Sequence, residues 1–227
     1  MADLVFPAPQ PVLIPVAGGG FFPVRRVYCV GRNYAEHIRE MGNDAREPPF
    51  FFAKPADAVV IDGAPIAYPP QTRDLQHEIE LVVAIGKDGA TIGEHAALEH
   101  VFGYAAGLDM TRRDLQAEAK KAGRPWSMAK GFDQSAPVGT MAPAKAIGHP
   151  ATGAITLSVN GAERQRGDLG DQIWSVPETI AYLSRLVTLR AGDLILTGTP
   201  AGVSPVRRRD VLEGNIEGVG TVSTVIG

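Results

Sequence analysis

The chain reads as an α+β fold, with mostly antiparallel or mixed sheets rolled into a partial barrel and a few peripheral helices. Three observations carry this expectation. Short strand-like runs recur at Arg25 to Val30, Phe50 to Phe52, Val59 to Ile61, Glu78 to Ile85, Gly103 to Met110, Asp193 to Thr197 and Gly220 to Ile226. Helical segments interrupt them too irregularly for repeating βαβ units. Asn160-Gly161, between Ala154 to Val159 and Glu163 to Arg166, supplies the positive φ angles of a tight type I′ hairpin turn.

Residues 1–24 hold five prolines and the triplet Gly18-Gly19-Gly20, the composition of an extended arm. The triplet lacks the Lys-Ser/Thr of a phosphate loop. Residues 25–227 read as a single domain, because 227 residues suffice for one sizeable core but hardly for two. Asn33 is placed to cap a helix over Tyr34 to Met41, with Glu36 at the capping-box position and Gly42 at its end. A modest helix is expected around His95 to Val101. Thr111, with Asp114 three residues on, is expected to cap a helix over Arg112 to Lys121. Ser175-Val176-Pro177-Glu178 is a capping box ahead of Ile180, Leu183, Leu186 and Val187 at helical spacing.

The 22 basic and 25 acidic side chains leave a formal charge of −3, and the dense basic run Arg207-Arg208-Arg209 is followed at once by Asp210, so no nucleic-acid partner is expected. The lone Cys29 rules out an intrachain disulfide and fits a reducing compartment. No signal segment is apparent and no apolar run approaches the roughly 20 residues of a membrane span, so a cytoplasmic location without membrane contact is expected.

The most informative residues are Glu78 and Glu80. Period-two geometry puts both carboxylates on one face of a strand, where like charges repel and lose solvation. A hard divalent cation such as Mg²⁺ or Mn²⁺ relieves this and leaves positions open to an oxygen-rich substrate. A solvent-facing acidic strand has the same spacing. Asp109, at a strand-to-helix junction, is a candidate third carboxylate or a local turn residue. His77 points to the opposite strand face and reads as structural. His37 and Glu40 share a helix face, either as an exposed ion pair or as a base and its orienting carboxylate.

Cys29-Val30-Gly31-Arg32-Asn33-Tyr34-Ala35-Glu36-His37, Glu78-Ile79-Glu80, Leu108-Asp109-Met110-Thr111, Ala129-Lys130-Gly131-Phe132 and Leu196-Thr197-Gly198-Thr199-Pro200 together resemble the fumarylacetoacetate hydrolase family. The resemblance runs from about Pro23 to the C-terminus and is nearest to the short acylpyruvate hydrolases. It implies Mg²⁺ or Mn²⁺ on Glu78, Glu80 and Asp109. His37 and Glu40 would form the general-base dyad and Lys130 would stabilise an oxyanion. Arg113, Gln116 and Thr199 would contact a small 2-oxo acid. The activity implied is cleavage of an acylpyruvate, most closely fumarylpyruvate to fumarate and pyruvate in gentisate breakdown, by a homodimer. Decarboxylation of oxaloacetate or a related 2-oxo acid, and non-catalytic binding of metal and 2-oxo acids, are the alternatives.

Overall fold

The computed structural model describes residues 4–34 and 47–227. The expected helix over Tyr34 to Met41, and with it His37 and Glu40, lies outside the described residues beyond Tyr34.

Strands β1 (Leu13–Pro15) and β2 (Phe21–Pro23) pair as a hairpin. An eight-stranded mixed sheet follows, built from β3 (Arg26–Gly31), β4 (Phe50–Lys54), β5 (Val59–Ile61), β7 (Ile79–Ile85), β8 (Val101–Leu108), β10 (Ala136–Val138), β11 (Ala142–Pro143) and β14 (Asp193–Leu196). Its order is β4-β3-β14-β7-β8-β10-β5, with β11 alongside β8. The β14–β3 and β10–β5 pairs are parallel and the others antiparallel. Short strands β6 (Leu75–Gln76) and β9 (Thr111–Arg112) pair beside the end of β7. A four-stranded antiparallel sheet holds β12 (Ala154–Val159), β13 (Ala162–Asp168), β15 (Val211–Ile216) and β16 (Gly220–Val225), in the order β13-β12-β15-β16.

The chain after β5 stitches the two sheets together. Gly63 and Ile66 donate backbone hydrogen bonds to Ser223 and Val225 of β16, and a Cβ at Gly139 would lie 2.0 Å from the Thr221 carbonyl oxygen. The result is the expected partial barrel with few helices.

Every residue of β7 is buried, so the strand is covered on both faces rather than half exposed. Its alternation sorts it between two cores. Ile79, Leu81, Val83 and Ile85 pack with Ile155, Leu157, Leu212 and Val222 of the smaller sheet. Val82 and Ala84 pack with Ile14, Val27, Cys29, Leu194 and Leu196. Ile14 and Phe22 thus bring the proline-rich N-terminal segment into this second core.

Local signals set most element ends. Asn160 and Gly161 take φ of 53° and 77° between β12 and β13. The Glu178 carboxylate accepts from the Ser175 backbone at 2.9 Å and begins the Val176–Leu186 helix. The segment Glu94–His100 is a 3₁₀ helix. Thr111 does not cap the next helix, because it is drawn into the β6–β9 pair; the helix is Arg113–Lys121. Asp114 instead accepts from Thr72 Oγ1 at 2.6 Å and Arg73 N at 2.8 Å, tying a distant turn to the helix start. The Asn33 side chain is held across the fold, donating to the carbonyls of Trp174 and Thr197 and accepting from Trp174 N.

Candidate active site

Strand register assembles the acidic group. Asp109 N donates to the Glu78 carbonyl at 2.9 Å, and Glu80 faces Gly107 two residues further along the β7–β8 pair. Glu78 and Glu80 share the parity of Val82, so both carboxylates emerge where Asp109 leaves β8. Oxygens of the three lie within 4.8 Å of one another, and all three residues are buried. Opposite ligands of an octahedral Mg²⁺ or Mn²⁺ stand about 4.2 Å apart, within reach of small side-chain adjustments.

Three buried or half-buried cations surround these carboxylates. Lys130 Nζ donates to Glu78 Oε2 and Asp109 Oδ2, both at 2.8 Å. Lys54 Nζ lies 2.8 Å from Asp109 Oδ1, and Arg113 Nη2 donates to Glu78 Oε1. Asp109 Oδ1 accepts no hydrogen bond among the described residues and is compensated by the charge of the Lys54 ammonium beside it. Three buried carboxylates converging as an all-oxygen donor set, with lone pairs on Asp109 Oδ1 that accept no hydrogen bond, fit a hard divalent ion.

Two residues apart, the glutamates titrate in opposite directions. Burial pushes Glu80 well above the ordinary carboxylate range, reinforced by the charges of Asp109 and Glu78. Burial acts the same way on Glu78, but Lys130 and Arg113 outweigh it and hold the carboxyl at about 2. For Lys130, burial favours the neutral amine, yet Asp109, Glu78 and Glu80 raise its pKa and keep it an ammonium. Glu80 Oε2 also accepts from Gly198 N at 2.7 Å. Gly198 has φ of 93°, and a Cβ there would meet Asn33 Cβ at 2.7 Å, so only glycine suits this approach.

Glu78, Glu80, Lys130, Arg113, Gln116 and Thr199 line one cavity of about 590 Å³, and Asp109 lies fully buried behind it. Their hydrogen bonds leave donors to spare. Arg113 gives Nε to Gln76 Oε1 at 2.9 Å and Nη1 to Gln116 Oε1 at 2.6 Å, which leaves the Gln116 amide nitrogen without an acceptor among the described residues. Thr199 Oγ1 accepts from Gln165 Nε2 at 2.8 Å, freeing its own proton. His77 is no ligand: its Nδ1 meets Gln165 Oε1 at 2.8 Å and its Nε2 meets Ser204 Oγ at 2.9 Å. Burial lowers its pKa despite the Gln165 bond.

Sequence reasoning missed Lys54, Gln76 and Gln165. Lys54 is the buried last residue of β4, and Gln165 is the one buried residue of β13. Neither carries a local signal, since each acquires its partners only when remote strands meet.

The family model of the fumarylacetoacetate hydrolase C-terminal domain matches residues 26–226. The chain is 46% identical over 195 residues to mouse oxaloacetate tautomerase FAHD1, covering 86% of this chain and 88% of the relative. It is 41% identical over 198 residues to the mitochondrial oxaloacetate decarboxylase of Dictyostelium discoideum, covering 87% and 91%. Among solved structures it is similar to fumarylpyruvate hydrolase from Pseudomonas aeruginosa in complex with Mn²⁺ and pyruvate. That likeness has 54% identity, a TM-score of 0.95 and 99% coverage of both chains.

Proposed function

Because this chain belongs to the fumarylacetoacetate hydrolase family, we propose that it is a metal-dependent acylpyruvate hydrolase, cleaving fumarylpyruvate to fumarate and pyruvate. The observation that carries the reading is the buried Glu78, Glu80 and Asp109 cluster opening on a cavity with unspent hydrogen-bond donors, in a chain so similar to the Mn²⁺ and pyruvate complex. Glu78, Glu80 and Asp109 hold the divalent ion, Mg²⁺ or Mn²⁺. When bound, it supplies Lewis-acid polarisation of the 2-oxo acid.

The chain's own groups do the rest. Three cations, Lys54, Lys130 and Arg113, balance three carboxylates, so a divalent ion leaves two positive charges in excess for an anionic substrate. Two Lys130 protons are committed to Glu78 and Asp109, and the third is left to stabilise the oxyanion that forms as water adds to the distal carbonyl. The remaining N–H groups of Arg113, the Gln116 amide and the Thr199 hydroxyl orient the substrate's oxygens. His37 takes a proton from the attacking water and Glu40 orients its imidazole.

Oxaloacetate chemistry is a second reading, favoured by the tautomerase and decarboxylase relatives. It needs the same ion but no attacking water. Turnover of acylpyruvates and oxaloacetate with Mg²⁺ or Mn²⁺, set against chelated protein, separates the readings. Pyruvate and fumarate released only with metal, and lost in His37→Ala, are expected. Oxaloacetate turnover alone overturns hydrolysis, and metal-dependent binding without any turnover leaves a non-catalytic binder. A homodimer, a cytoplasmic location and a place in gentisate breakdown complete the proposal on the family likeness, with light scattering as the check on the dimer.

A further inference from the structure

We infer that Arg32 and Lys120 form a second anion subsite that receives the carboxylate at the far end of a dicarboxylic acylpyruvate, and so set the enzyme's preference for such substrates. This rests on the acylpyruvate reading and deepens it. Arg32, Lys120, Lys130 and Arg113 are the cations that line the cavity among the described residues. Lys130 and Arg113 are committed to Glu78 and Asp109. Arg32 and Lys120 have no acidic partner among the described residues, and both are exposed while Glu78, Glu80 and Lys130 are buried. The two thus stand at the solvent end of a cavity whose floor is the acidic cluster.

A row of rings joins the two ends. Lys130 Nζ sits 5.1 Å from the Phe52 ring centroid, Phe52 lies 5.9 Å from Trp126, and Trp126 meets Phe50 edge-on at 5.4 Å. The Arg32 guanidinium carbon is 5.9 Å from the Phe50 centroid. Gly31 makes this seat, since a Cβ there would lie 2.0 Å from Phe50 Cζ and would drive the ring away. Arg32 is held in the left-handed region at φ of 56°, a conformation that costs energy in a non-glycine residue and is kept where the surroundings demand it. Phe52 and Trp126 also line the cavity, so an apolar wall separates the buried ammonium from the exposed cations. A fumarylpyruvate dianion has the matching order: a 2-oxo acid, a short planar carbon chain and a terminal carboxylate.

The test compares kcat/KM for fumarylpyruvate and for acetylpyruvate, which ends in a methyl group, in the full-length Mn²⁺-loaded enzyme and in Arg32→Gln, Lys120→Gln and the double variant. Loss of a charge-assisted contact lowers the fumarylpyruvate value about ten- to a hundred-fold in the double variant, with acetylpyruvate losing far less. An unchanged ratio, or equal losses on both substrates, overturns the subsite. A wild-type enzyme that turns over neither substrate overturns the acylpyruvate reading itself, and the subsite with it.

Discussion

At the scale of single residues, the site is governed by how burial is compensated. In metal-free protein, burial of Glu80 beside Asp109 and Glu78, with one backbone donor, raises its pKa and favours the protonated carboxyl in the folded state. The unfolded chain releases that proton above the usual glutamate pKa of about 4.3, so the Glu80 contribution to stability falls as pH rises beyond it. Glu80→Gln mimics the protonated form. The difference in unfolding free energy between wild type and Glu80→Gln, measured by denaturant titration under chelation at pH 5 and pH 8, should move against wild type at the higher pH. Mn²⁺ should raise the melting temperature of wild type and leave the variant unmoved; equal metal shifts would remove Glu80 from the ligand set. Lys130→Met strips Glu78 and Asp109 of a shared ammonium. It should lower kcat by about a hundred-fold or more, read by steady-state kinetics, and cost about 3–5 kcal/mol of stability.

At the scale of elements, the Arg113–Lys121 helix carries three proposed substrate contacts, Arg113, Gln116 and Lys120, and a residue outside the cavity lining anchors its first turn. Asp114 binds Thr72 Oγ1, Arg73 N and Leu115 N. Burial is the largest single influence on Asp114 and disfavours its charge, but the hydrogen bonds from Thr72, Arg73 and Leu115 together outweigh it and lower its pKa. Asp114→Ala should therefore raise KM several-fold, on the order of 1 kcal/mol of binding, with a smaller change in kcat. A fall in kcat alone would place the helix in the chemical step instead. The physical lesson lies in the contrast with Ser175 and Glu178. That capping box was legible because both partners are local, whereas Asp114, three residues after a threonine in the same pattern, bonds 42 residues back at Thr72. Pattern alone does not distinguish a local acceptor from one claimed by a remote turn.

At the scale of the whole molecule, the acidic cluster depends on two sheets meeting. Gly139 donates to the Ala106 carbonyl at 2.8 Å while its Cα abuts Thr221, so β8 and the smaller sheet close on each other there. Gly139→Ala should destabilise the fold by about 1–3 kcal/mol, seen as a lower denaturation midpoint, because backbone rather than a flexible side chain blocks the new methyl. A neutral result would mean that the sheets slide without cost. Among the described residues no helix is long and apolar enough to cross a membrane. From the sequence alone came the α+β class, the hairpin at Asn160-Gly161, the single strand face of Glu78 and Glu80, and the family with its divalent ion, since these follow from periodicity, turn chemistry and ordered motifs. Only the tertiary structure decided that Asp109 stands beside Glu78, that Lys54 and Lys130 share its charge, and that β7 is buried on both faces. Strand register and sheet closure are set by packing between segments far apart in the chain, and no local run of residues encodes which distant partner it will meet.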